Sequence, residues 1–314
     1  MSPEAQTMTP VTPPKTETQP ARISDMLRGN GPLLSVEFFP PKNEEGARQI
    51  LRTANALRQE SPHFVSITYG AGGGTRDRTL AYGELLKEIF GFEVMPHLTC
   101  VGHPADEIAG ILERFDEVGF SNIMALRGDP PKGETDFKPH PDGFAYASDL
   151  IAFIKDRYPQ FCLGAGAYPE KHPEAPDSKT DVDNLKRKVD AGADFLTTQL
   201  FFDNEDFFRF EEACRKAGID IAIIPGVLPA VSHTQVTKFC GFCGARLPDE
   251  LSKRMADCGD DAERAQQVGI EWAWEQITEL FERGAPALHL YILNRQKAPL
   301  EIIRRLRSEG LLKV

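Results

Sequence analysis

The feature that most limits what this chain can become is a sustained alternation of short β-branched or aromatic runs with segments of helical period. Eight strand candidates follow one another at 33–39, 64–69, 93–99, 122–127, 161–168, 195–202, 221–228 and 287–293. Between them the apolar spacing predicts helices over about 44–60, 76–90, 104–118, 144–158, 181–191, 204–217 and 232–243, with a last one near 298–307. Ala191-Gly192 and Ala217-Gly218 supply the glycine expected where a helix stops. The stretch 248–283 adds one or two extra helices before the last strand. Such alternation implies parallel strands joined by crossover helices, and eight units fit one closed (β/α)8 TIM barrel, a single α/β domain. A two-domain Rossmann arrangement would need a linker or composition break near the middle, and none is present. Residues 1–22 hold five prolines and no aromatic side chain. They cannot bury enough apolar surface to offset ordering entropy, so a disordered tail is expected there, with the barrel over 23–314.

Composition narrows the function classes. The 314 residues carry 36 Lys and Arg against 47 Asp and Glu, a net charge of −11. That balance argues against a nucleic-acid partner, which requires clustered cations. No run approaches the roughly 18 apolar residues of a membrane span, and no apolar secretory signal opens the chain. A cytoplasmic protein with reduced thiols is expected for the six cysteines. Cys240-Gly-Phe-Cys243 has redox spacing, but the residues before it read as the inside or end of a helix, not a helix N-terminus. A zinc site would want a second pair, and only Cys258 is near. No metal-ligand spacing occurs, so no metal is expected.

In a parallel barrel one side-chain parity faces the helices and the other the interior. Strand one sets Leu34, Val36 and Phe38 against Ser35 and Glu37. Strand two sets Val65, Ile67 and Tyr69 against Ser66 and Thr68, and strand three Val94, Pro96 and Leu98 against His97 and Thr99. Strand four reads as Met124 and Leu126 against Arg127 and Asp129, and strand six as Leu196, Thr198 and Leu200 against Thr197 and Gln199. The polar members gather toward the C-terminal strand ends, the face that carries function in this fold, so a ligand-binding mouth is expected there. Glu37 stands out because Val36 and Phe38-Phe39-Pro40-Pro41 surround it. An apolar site disfavours a charged carboxylate, which would raise its pKa and suit it to donate a proton. The alternative is a buried Glu paired with Arg or Lys for structural reasons. Asp129 could instead be a turn residue before Pro130, and Gln199 a core amide bonded to backbone.

The loop Gly70-Ala-Gly-Gly-Gly74 lacks dinucleotide-binding spacing, and there is no Walker A sequence. Tyr168-Pro-Glu-Lys-His172 follows strand five and precedes Lys186-Arg187-Lys188. That basic cluster is either a solvated helix face or a phosphate-binding patch beside the mouth.

Ser35-Val-Glu-Phe-Phe-Pro-Pro41, Val65-Ser-Ile-Thr-Tyr-Gly-Ala71, Pro96-His-Leu-Thr99 and Ala125-Leu-Arg-Gly-Asp129 together resemble the methylenetetrahydrofolate reductases. So do Ala167-Tyr-Pro-Glu170, His172-Pro-Glu174, Asn184–Gly192, Ile224-Pro-Gly226 and Leu293-Asn-Arg295, in order from about 24 to 306. The pattern is that of the short bacterial form, a catalytic barrel alone. The resemblance implies a cytoplasmic flavoprotein in which bound FAD takes hydride from NADH or NADPH. It then reduces 5,10-methylenetetrahydrofolate to 5-methyltetrahydrofolate in ping-pong fashion, feeding one-carbon metabolism and methionine synthesis. It also implies a homo-oligomer. By motif, Glu37 is the acid that protonates folate N10, and Asp129 is the catalytic carboxylate near flavin and folate. The implied flavin and nucleotide shell is Thr68, Tyr69, Ala71, His97, Arg127, Gly128, Asp129, Ala147, Tyr168, His172, Ala175, Asp181, Asn184, Arg187 and Lys188. Gln199, Gln235, Phe239 and Arg295 are the implied folate contacts, Arg295 being suited to an anionic glutamyl tail. The segment 130–144 is longer than in the compact bacterial pattern.

Two rival readings are weaker. One is a flavin-free barrel, such as a pterin-binding methyltransferase domain or an aldolase; a Schiff-base aldolase would want a Lys on an inward strand position, and none of the strands offers one. A non-catalytic folate or flavin carrier would bury Glu37 and Asp129 without chemical use. No residue pattern separates NADH from NADPH.

Overall fold

The computed structural model describes residues 21–29, 31–69, 76–130 and 137–312. Ala71, the glycines of 72–74 and the segment 131–136 lie outside them, as do residues 1–20 of the expected tail. Eight parallel strands close into one barrel in sequential order, the first pairing with both the second and the eighth. They are β1 (Leu33–Phe38), β2 (Phe64–Ile67), β3 (Val94–Thr99), β4 (Asn122–Leu126), β5 (Cys162–Ala167), β6 (Phe195–Leu200), β7 (Ala222–Val227) and β8 (Ala287–Tyr291). The helices are α1 (Ile23–Met26), α2 (Glu44–Arg58), α3 (Arg76–Glu88), α4 (Ala105–Val118), α5 (Ala147–Arg157), α6 (Ser178–Asp190), α7 (Asn204–Lys216), α8 (His233–Cys243), α9 (Asp249–Ala256), α10 (Ala262–Glu282) and α11 (Lys297–Ser308). The expected barrel is therefore present, and α9 and α10 are the extra helices before the last strand.

Period-two patterning explains the layers. Val36, Val65, Leu98, Ile123, Leu163, Leu196, Ile223 and Leu288 point outward into the apolar faces of the helices. Leu33, Phe64, Met95, Met124, Cys162, Phe195, Ile224 and Ala287 point inward and fill the N-terminal half of the barrel together with Ile23. The four residues of α1 are too few to show a helical period, and docking holds them. The Ile23 N–H donates to Asn122 Oδ1 at 2.8 Å, and Asn122 Nδ2 donates to the Ala21 carbonyl and to Glu93. The lower end of the barrel is thus plugged by side chains, which leaves the C-terminal end for chemistry.

Strand four corrects the sequence reading. Met124 and Leu126 pack with the inward cluster, so they and not Arg127 and Asp129 carry the interior parity. The strand stops at Leu126, and Gly128 turns the chain with φ of 88°. Strand parity has no meaning beyond the last ladder residue, so Arg127 and Asp129 reach the mouth from a loop.

The β6–β7 edge carries an irregularity between Thr197 and Leu200. Thr198 Oγ1 accepts the Gly226 N–H at 2.9 Å, and the Tyr291 hydroxyl donates to the Thr198 carbonyl at 2.6 Å. Side chains thus take up backbone groups that the ladder has released. Cys240 and Cys243 lie in the last turns of α8, as the sequence indicates, and burial pushes both thiols up to about 11. Neither is activated.

Candidate active site

Glu37 ends the inward row of β1 and is 6% exposed. Its Oε2 lies 3.5 Å from His97 Nε2 on β3 and 3.7 Å from His289 Nε2 on β8. Among the described residues no Lys or Arg pairs with it, which removes the structural ion-pair alternative. Ser35, one inward position below, has its Oγ 2.7 Å from His289 Nδ1 and 3.1 Å from the Leu288 carbonyl. With the hydroxyl donating to Leu288, the imidazole Nδ1–H donates to Ser35 and leaves Nε2 bare toward Glu37. Burial holds the His97 imidazole down to about 4, so it is neutral around pH 7. Ser66 Oγ, His97 Nε2, Thr99 Oγ1 and Thr197 Oγ1 are buried with no hydrogen-bond partner among the described residues. They are polar groups of the strands that line the mouth, still in need of partners.

A second group forms where β4, β5 and α6 meet. Arg127 donates from both terminal nitrogens to the Glu174 carboxylate, at 2.6 Å each. The Gly128 backbone fits closely here, since a Cβ would lie 2.5 Å from Val101 Cγ1. Asp129 is exposed at the rim. Burial first, and then the Asp129 charge, push the Tyr168 hydroxyl up to about 12. Tyr168 packs edge-on against His172 with ring centroids 4.5 Å apart, and burial lowers the His172 pKa. The His172 N–H donates to Asp181 on α6, and the buried Ala175 N–H returns to the His172 carbonyl. Asp181, Asn184, Arg187 and Lys188 follow at helical spacing, Asn184 and Arg187 being exposed. Lys188 Nζ donates to the Gly166 carbonyl at 2.8 Å, and burial lowers it to about 8. Ala147 is the buried first residue of α5.

Thr68 is half-buried, its N–H on the Phe38 carbonyl. Tyr69 turns its hydroxyl to His103 Nε2 at 3.1 Å, and His103 Nδ1 lies 3.0 Å from Glu107. Of the residues expected at the substrate, Gln235 and Arg295 line one groove with Tyr291 and Leu228. Phe239 is half-buried one turn along α8 from Gln235. Gln199 is half-buried on β6, and its Oε1 accepts the Leu200 N–H at 2.9 Å, so one end of the amide is bonded to backbone.

The methylenetetrahydrofolate reductase family model matches residues 22–307, nearly the whole described barrel. The chain belongs to this family. Among its relatives, the 5,10-methylenetetrahydrofolate reductase of Escherichia coli is 40% identical over 273 residues, covering 87% of this chain and 90% of that one. Methylenetetrahydrofolate reductase (NADH) 1 of Arabidopsis thaliana is 38% identical over 295 residues, covering 91% of this chain but 50% of the plant protein. The chain therefore spans about half the length of the plant relatives it matches. A solved structure described as an uncharacterized Clostridium thermocellum protein that binds two copies of 5-methyl-5,6,7,8-tetrahydrofolic acid shares the fold with a TM-score of 0.60 at 16% identity, over 90% of this chain and 96% of that one.

Within this methylenetetrahydrofolate reductase barrel, three residues at the mouth went unremarked as site residues in the sequence. His289 and Tyr291 occupy the inward parity of β8, opposite Leu288 and Leu290, so the alternation used for the other strands would have found them. Glu174 had no such signal, because its partner Arg127 is 47 positions away.

Proposed function

We propose that the protein reduces 5,10-methylenetetrahydrofolate to 5-methyltetrahydrofolate, with FAD as resident cofactor and NADH or NADPH as donor in a ping-pong scheme. The observation that carries this reading is Glu37, buried at the mouth between two histidines with no Lys or Arg paired to it among the described residues.

The residues present suit a flavin. Arg127, Arg187 and Lys188 offer cationic donors for its phosphates on an otherwise acidic molecule. Tyr168 and His172 offer an aromatic wall, and the partnerless groups on Ser66, Thr99 and Thr197 belong to the same mouth. Thr68, Tyr69, Ala71, His97, Gly128, Asp129, Ala147, Ala175, Asp181 and Asn184 would complete the shell. Bound FAD supplies the hydride chemistry; the protein supplies position and proton control.

Glu37 holds the proton that folate N10 receives as the bond from N10 to the bridging carbon breaks, leaving an iminium at N5. Ser35 orients the adjoining His289 so that its Nε2 faces the carboxyl group. Neutral His97 packs beside Glu37 without adding a positive charge to the site. The exposed Asp129 places a negative charge where the cationic iminium develops. Gln199, Gln235 and Phe239 position the folate, and exposed Arg295 meets its carboxylate tail. The reading describes an enzyme of the cytoplasm acting as a homo-oligomer.

Rapid mixing separates the two half-reactions. Glu37→Gln should retain flavin reduction by NAD(P)H within about twofold and lose folate reduction by at least about 100-fold, the span of general-acid catalysis. Equal loss in both half-reactions would remove Glu37 from the acid role, and protein that cannot be reconstituted with FAD would sink the whole reading.

A further inference from the structure

We propose that Glu174 is an internal competitor for the anionic part of the cofactor. Its carboxylate is paired with the Arg127 guanidinium and is displaced when the cofactor binds. The inference rests on the reading of this mouth as a flavin site and concerns what sets its affinity.

Arg127 is held from several sides. Its two terminal nitrogens reach the two Glu174 oxygens at 2.6 Å, and its Nε donates to the Gly128 carbonyl at 3.2 Å. The Phe137 ring lies over the guanidinium, 4.7 Å from Cζ to the centroid. Phe137 lies within the long 130–144 segment, whose end is tied down. The Asp142 carbonyl accepts the Ala105 N–H at 2.8 Å, and a Cβ on Gly143 would lie 2.3 Å from the His103 carbonyl. The aromatic platform and the Gly128 carbonyl orient the guanidinium plane independently of Glu174.

The pair is unequal. The Arg127 side chain is 19% exposed and Glu174 is 55% exposed. Glu174 sits on the loop after β5 with its N–H on His172 Nδ1 at 3.1 Å. Its carboxylate can rotate into water, whereas Arg127 stays fixed. A guanidinium fork binds one planar or tetrahedral oxyanion at a time, and carboxylate and phosphate ask for the same two N–H groups. An arginine preoriented for phosphate but closed by a mobile carboxylate is a site with a built-in occupant. The opposite reading, a permanent pair that orients Arg127 for the cofactor, predicts the opposite sign.

The test is fluorescence titration of flavin-stripped protein with FAD and, separately, with riboflavin, which has the ring system without phosphate. Glu174→Gln should tighten FAD three- to tenfold, roughly the range of a well-formed, partly exposed ion pair. It should leave riboflavin within twofold, and Glu174→Ser should move the same way. FAD binding that is unchanged or weaker in both variants overturns the competitor, as does equal tightening of riboflavin. Wild-type protein that binds neither flavin rejects the flavin reading itself, and the competitor with it.

Discussion

His97 shows how one residue couples the site to stability. Its imidazole sits under Glu37 with Nε2 buried, and burial lowers its pKa from 6.5 to about 4, partly opposed by the Glu37 charge. The unfolded chain takes up this proton near pH 6.5 and the folded protein only near 4. Stability is therefore full above about 6.5 and falls as the pH is lowered toward 4, by on the order of 3 kcal/mol. His97→Asn should flatten that part of the profile. Urea midpoints at pH 7 and pH 4.5 measure it, and an undiminished acid shift in the variant would contradict the assignment. Lys188 has the reverse sense for ligands. Lowered to about 8 by burial, it is cationic below that pH and neutral above it. FAD affinity should weaken severalfold between pH 7 and 9 in wild-type protein, and Lys188→Arg should abolish the dependence. An identical pH profile in that variant would exclude Lys188 from anion binding. Glu37, His97, Arg127 and Lys188 could all be singled out from sequence, because each is a polar residue at a strand end or on a basic helix turn. Their partners could not, since Glu37 to His289 and Arg127 to Glu174 are contacts between distant segments.

At the scale of elements, the barrel was legible because eight apolar runs alternate with helical ones, and tertiary packing agrees with that local pattern. The errors fall where an element ends. At β4 the parity rule was carried past the end of the strand to Arg127 and Asp129, and α1 has no period to read. The β6–β7 irregularity is also invisible in a single strand, since it arises from Thr198 and Tyr291 replacing ladder partners. Gly226 is required there by close approach. A Cβ would lie 2.4 Å from the Thr198 carbonyl oxygen and 2.6 Å from Tyr291 Cε2. Gly226→Ala should cost about 1–3 kcal/mol by overpacking and displace the Tyr291 ring. Thermal unfolding and near-UV circular dichroism would register both effects. A variant with wild-type stability and aromatic signal would show that the edge can relax.

For the whole molecule, closure depends on the end of the chain returning to its beginning. β8 pairs with β1, and α11 is pinned beside the end of α2 by Glu60, which is 8% exposed. Glu60 accepts from Arg304 Nε at 2.8 Å and Arg307 Nη1 at 3.1 Å. Glu60→Ala leaves the Arg307 side chain, 15% exposed, without its carboxylate and should lower stability by about 2 kcal/mol, between exposed and buried pairs. Urea denaturation tests this, and a change under about 0.5 kcal/mol would make the clamp ornamental. The −11 charge is likewise a property of the whole chain and says nothing of where individual cations such as Arg127 or Arg295 sit. Length, patterning and motif order were sufficient for a closed barrel with its mouth at the C-terminal strand ends, because alternation and strand-end chemistry are local in the chain. Folding alone set His289 against Glu37, Phe137 and Glu174 around Arg127, and Arg295 in one groove with Gln235. Those arrangements depend on which loops meet across the barrel, and one-dimensional spacing carries no information about that.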